Sequence, residues 1–135
     1  MQDLDGIKPI DLKEFRGQYT LVHNSKSVVF SLSNILDEET GVKYSGEFEV
    51  KLFLTLKERG IVAAAAGRRN IGIDPFEETF TLNKVVCELQ TKCIVCPDWF
   101  KDDKAFEIVG IQPIDRIFTL VKAAHEEYKE SMNNR

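Results

Sequence analysis

The sequence predicts one α+β domain: a small antiparallel sheet, built from a hairpin and one further strand, followed by three helices with a long central one in the middle. Three observations carry this expectation. The hydrophobic period is two between Tyr19 and Leu54 and becomes about 3.6 from Thr55 onward. Within 46–54, Phe48, Val50, Leu52 and Leu54 fall on one side and Glu47, Glu49 and Lys51 on the other, the pattern of a sheet covered on one face. A chain of 135 residues, 43% hydrophobic and 30% charged, also suffices for a single domain with its own core.

Residues 1–17 read as an N-terminal arm ahead of a domain over 18–135, with Pro9 and Gly17 as punctuation. Ile7, Ile10 and Phe15 are apolar positions with which the arm can anchor to a neighbouring surface, its own or another subunit's. Tyr19 to Leu32 reads as a hairpin, because YTLVH and SVVFSL are rich in β-branched and aromatic residues and Asn24-Ser25-Lys26 is turn chemistry. A polar connection over 33–45 leads to the strand 46–54, where Phe53 breaks the polar face and becomes a candidate contact for a partner.

Thr55-Leu-Lys-Glu58 has capping-box spacing and starts a helix that runs to about Arg69. Its face through Leu56, Gly60, Ala63, Ala64 and Gly67 is made of small residues and admits close approach of another backbone. Arg68 and Arg69 complement the dipole at the C-terminus of that helix. The central helix is expected from Asp74, a strong N-cap followed by Pro75, to Cys96, where Pro97 stops it. Leu82, Val86, Leu89, Cys93 and Cys96 recur along it at helical spacing, over about 22 residues or roughly 33 Å. A loop over 98–112 and a last amphipathic helix opening at Pro113 complete the chain, with Ile117, Val121, Ala124 and Tyr128 inside.

Composition and motifs argue against most chemistry. With 18 basic and 22 acidic residues, a net charge of −4 and no basic stripe, nucleic acid is not an expected partner. The N-terminus is acidic without an apolar core, and the longest apolar run, IVAAAA, is too short for a membrane span, so no membrane is expected and the cytoplasm is the natural compartment. Three cysteines suit a reducing environment. Cys93-Ile-Val-Cys96 is a CxxC, but zinc needs four ligands, and Cys87 with His125 or His23 would have to complete the set. On a helical stripe these cysteines are better read as small hydrophobes. Asp37-Glu38-Glu39 and Asp102-Asp103 lack the spacing of a calcium loop and read as solvated surface. Neither a triad nor a general acid–base pair stands out, so no enzyme, cofactor or metal is expected. Trp99-Phe100 is the remaining feature: large aromatics past a helix end either cap the core, the preferred reading, or anchor an interface.

Cys96-Pro97-Asp98-Trp99-Phe100 and the strand-to-helix join Leu54-Thr55-Leu56-Lys57-Glu58 give the chain a resemblance. In layout over about 19–130, and in those two runs, it resembles the small tail-assembly proteins of tailed bacteriophages, in which a helix often ends in Ala-Pro-acid-Trp-aromatic. Here cysteine replaces the alanine. The resemblance implies a non-enzymatic protein that binds other virion components, as a homo-oligomer or hetero-assembly, in the host cytoplasm and then in the virion. It supplies no catalytic residue. The candidate interface residues are therefore Phe53, Trp99, Phe100, Ile7, Ile10 and Phe15, and the alternative is a small zinc-binding regulator using Cys87, Cys93, Cys96 and a histidine.

Overall fold

The computed structural model describes residues 12–15 and 17–133. Ile7 and Ile10 lie outside the described residues. The order of elements is α1 (Leu12–Phe15), β1 (Thr20–Val22), β2 (Ser27–Leu36), β3 (Lys43–Lys51), α2 (Leu56–Arg69), α3 (Glu78–Lys92), β4 (Cys93–Val95), a 3-10 turn (Asp98–Phe100), α4 (Lys104–Glu107) and α5 (Ile111–Asn133). The fold is α+β, and the described residues form one antiparallel sheet in the order β1-β2-β3-β4.

The hairpin forms as expected, with Leu21 opposite Val28 and the turn closed by Lys26, whose φ is +49°. β2 continues beyond Leu32 to Leu36, so much of the expected polar connection is strand. A bulge between Leu32 and Ile35 lets it do so. Asn34 takes the left-handed conformation there, φ +51°, and its N–H donates to Ser45 Oγ at 2.9 Å.

Asp37 corrects a second expectation. It is buried rather than solvated. Its carboxylate accepts from Thr40 Oγ1 at 3.0 Å and from Glu39 N at 3.3 Å, while its carbonyl accepts from Gly41 N at 2.8 Å. A buried carboxylate persists only when such donors replace water. Gly110 permits this burial, because a Cβ there would meet Asp37 Oδ2 at 2.1 Å.

The core lies between one face of the sheet and α3 and α5. Val28, Phe30, Leu32, Phe48, Val50 and Leu52 supply the sheet side, and Val86, Leu89, Ile117, Leu120, Val121 and Ala124 the helical side. α3 does sit between α2 and α5, but α5, at 23 residues, is the longest helix and also packs on β1 and β2. α2 begins as its sequence dictates. Thr55 Oγ1 accepts from Glu58 N at 3.2 Å and Thr55 N donates to Glu58 Oε1 at 3.0 Å. α3 is shorter than expected at both ends. Asp74 spends its side chain on Phe76 N at 2.9 Å, and the helix starts only at Glu78. At the other end Cys93–Val95 leaves the helix to pair with β3.

Candidate interaction surface

The run Cys96-Pro97-Asp98-Trp99-Phe100 turns out to clamp the chain onto β3. Pro97 lies against Gly46 so closely that a Cβ there would meet its ring at 2.7 Å. Trp99 Nε1 donates to the Ser45 carbonyl at 2.9 Å, and its ring packs 4.9 Å from Tyr44 and 5.8 Å from Phe48. Phe100 is 0% exposed, edge-on to Phe48 at 5.5 Å. Phe100 is thus a core residue, which corrects its candidacy as an interface anchor: a ring without exposure has no surface to offer a partner. Trp99 is half-buried and serves mainly the same cluster.

Phe53 is 39% exposed, but its ring already meets His125 at 4.9 Å and Tyr128 at 5.4 Å, both edge-on. Phe15 is half-buried and packs against the core of its own chain, as α1 lies on α5. His125 is a rim histidine beside the cleft that Lys92, Glu88 and Lys129 also line. Burial lowers its pKa, and Lys129 and Lys92 lower it further. Among the described residues, Phe15, Phe53, Trp99 and Phe100 therefore do not form one exposed patch.

The cysteines divide. Cys87 is buried in α3, where burial pushes its thiol up against the opposing pull of Arg69 and Arg68. Cys93 and Cys96 lie on β4 and just beyond it, not on a helical stripe, and are half-buried against the core. Burial raises both thiols. Among the described residues, no three His, Cys, Asp or Glu side chains converge as a metal cage. No described helix is long and apolar enough to cross a membrane.

Among the described residues, α2 carries an exposed face of small and apolar side chains. This helix packs on α3 through the side carrying Ala66 and Asn70, where Asn70 Nδ2 donates to the Phe80 carbonyl at 3.1 Å and Asn70 Oδ1 accepts from Asn83 Nδ2 at 2.8 Å. The adjoining side holds the small residues Gly60, Ala63, Ala64 and Gly67, all exposed. Among the described residues, nothing beyond the helix's own neighbouring backbone lies within 4 Å of where a Cβ on Gly60 or Gly67 would sit. Leu56, 87% exposed, opens the stripe, and Ile71, 80% exposed, lies in the turn just past the end of α2, which is about 21 Å long at the helical rise. Phe76, 99% exposed, follows in the next turn. Lys57, Arg59 and Arg68 rim the face and are exposed, whereas Arg69 turns away to Asp103 and lies 3.4 Å over the Phe106 ring. The sequence placed Leu56 on this face and Phe76 on the inner stripe of the central helix; Phe76 instead precedes α3 and is exposed, and neither Leu56 nor Ile71 carries a mark of exposure in the sequence. The one available signal was the small-residue face.

The chain matches no protein-family model, no curated protein and no solved structure at a significant level.

Proposed function

We propose that this is a non-enzymatic assembly protein that docks a partner on the exposed face of α2, and that the partner belongs to the tail or virion of a tailed phage. The observation that carries the docking surface is the placement of Leu56 at the start of α2 and Ile71 just past its end, flanking exposed glycine and alanine, where large apolar side chains face water. Exposed apolar groups of this size on a stable element mark interaction sites. Small residues between them let a partner helix approach its backbone closely, adding dispersion contacts along the whole crossing.

The rim selects the partner. Lys57, Arg59 and Arg68 are exposed cations beside the stripe, while Glu58 is occupied by Lys51. The complementary occupant is an apolar helix flanked by Asp or Glu, on a different protein. A second copy docked through the same face would bring two basic rims together. The virion part of the proposal rests on the resemblance of the Cys96–Phe100 and Leu54–Glu58 runs, and on this reading the chain works in the host cytoplasm before joining the particle.

Sedimentation velocity tests the docking. The full chain is expected to stay monomeric alone and to bind a helical peptide with a Leu/Ala face and Glu flanks, but not its Lys-flanked counterpart. Ala64→Glu should abolish binding without unfolding the chain. Equal binding of both peptides, or self-association that Ala64→Glu removes, would overturn the choice of partner. Mixing with purified tail components tests the phage reading, which fails if no binary complex sensitive to Ala64→Glu forms.

A further inference from the structure

The two cysteines of the CxxC are three positions apart, an odd spacing that in a regular strand sends their side chains to opposite faces of the sheet. The register of β4 changes this. Glu49 pairs with Val95 and Val50 pairs with Cys93, so one extra residue, Ile94, is inserted opposite β3. This is a β-bulge, a device that re-aims the side chains following it. Ile94 and Val95 both face outward and are half-exposed, while Cys93 and Cys96 both turn inward. The two thiols share one cavity, and Cys96 is near enough to be among the causes that raise the Cys93 thiol.

We propose that Cys93 and Cys96 are a modification site: a dithiol that a low-molecular-weight disulfide oxidises to an intramolecular Cys93–Cys96 disulfide and that excess thiol reduces again. This is independent of the docking surface on α2. Three further features favour it. A cavity of about 430 Å³ opens beside the pair, lined by Gln90, both cysteines, Ile94, Lys101 and Asp102, and it gives a small disulfide access. Gln90 fixes the far wall by donating to the carbonyls of Phe100 at 3.0 Å and Asp102 at 2.8 Å. Cys87 is buried elsewhere, in α3 beside Arg69, and takes no part.

The reaction balances without further reagents. The Cys96 thiolate attacks one sulfur of the small disulfide, forming a mixed disulfide and releasing one thiolate, which takes up the proton that Cys96 lost. Cys93 then loses its proton and attacks Cys96 Sγ, expelling the second thiolate, which takes up that proton. Two electrons and two protons pass to the reagent, which leaves as two thiols. Cys96 is the attacking group because Lys101, which lines the same cavity, favours its thiolate, although burial outweighs this and Asp98 and Asp102 oppose it. Burial raises both thiols, so oxidation should be slow at neutral pH and accelerate as pH rises.

The test exposes the full folded chain to oxidised glutathione, unfolds it in acid, alkylates it and reads the intact mass. The expected product has lost two hydrogens, shows one alkylatable cysteine in place of three, and returns to three after dithiothreitol. Peptide mapping should place the bond between Cys93 and Cys96. Cys87→Ser should oxidise as the wild type does. Cys96→Ser and Cys93→Ala should each fail to lose two hydrogens while keeping the wild-type circular dichroism. A stable glutathione adduct on Cys96, a bond involving Cys87, or disulfide-linked dimers would overturn the proposal. So would inert thiols in the folded chain under conditions that oxidise the urea-unfolded one.

Discussion

Replacing Phe100 by alanine separates core from interface at the position where the two uses of an aromatic residue compete. The side chain is fully buried, edge-on to Phe48 at 5.5 Å and to Trp99 at 6.0 Å. Truncation removes the transfer free energy of a benzyl group and leaves a cavity, a combination that costs about 3–5 kcal/mol. Little collapse is available here. Phe48 is held by its pairing with Phe30, whose ring stacks on it at 5.1 Å, and Trp99 is pinned to Ser45 by its indole N–H. A loss of about 4 kcal/mol, not the lower end of that range, is therefore expected, which is a large fraction of a typical domain's stability. Urea unfolding measures it as a lower midpoint at an unchanged slope. A thermal melt should show a drop of about 10–15 °C for a chain of this length. Should the alanine variant fail to fold, Phe100→Leu keeps most of the volume and should cost about 1.5 kcal/mol. A loss below about 1 kcal/mol for Phe100→Ala would refute the burial argument and return the ring to the candidate interface.

Leu56→Ser and Phe76→Ser should each change stability by no more than about 0.5 kcal/mol, because their side chains touch little of this chain; a melt showing a loss of about 2 kcal/mol would mean that something covers them. Gly110→Ala drives a methyl group into the Asp37 carboxylate and should cost about 1–3 kcal/mol in urea unfolding. The same substitution made on an Asp37→Ala background should cost far less, and an equal loss there would exclude the clash as its cause. Glu58 should titrate at about 2 rather than its usual 4.5, first because of the hydrogen bond from Lys51 and then because of the Thr55 N–H. Its folded pKa is depressed, so this contribution to stability is complete above the unfolded value and is lost as pH falls from 4.5 towards 2. A carboxyl-carbon NMR titration reads the shift, and Lys51→Met should move it back towards 4.5; a wild-type Glu58 already titrating there would contradict the pairing.

The sequence by itself determined the features whose physics is local. The Thr55–Glu58 box closes within four residues, and the Asn24–Lys26 turn joins two adjacent strands. The inner stripe of α5 is written at helical spacing, and Ile117, Val121, Ala124 and Tyr128 are indeed buried. Phe48, Val50 and Leu52 likewise face the core as their alternation requires. Tertiary structure decided what depended on competition between distant groups. Cys93–Val95 satisfies helical periodicity, yet these residues form a fourth strand, because β3 offers unpaired backbone groups and Pro97 docks on Gly46. The adjacent β-branched Ile94 and Val95 were the local hint of that outcome. Asp37 lies in an acidic run that reads as surface, and only the arrival of Gly110 from far along the chain encloses it. The face of α2 is the clearest case: its small residues promised close packing, but α3 takes the side carrying Ala66 and Asn70 and leaves Leu56, Ala63, Ala64 and Gly67 exposed. A helix's periodicity says which residues share a face, whereas which face is covered depends on where the neighbouring elements lie.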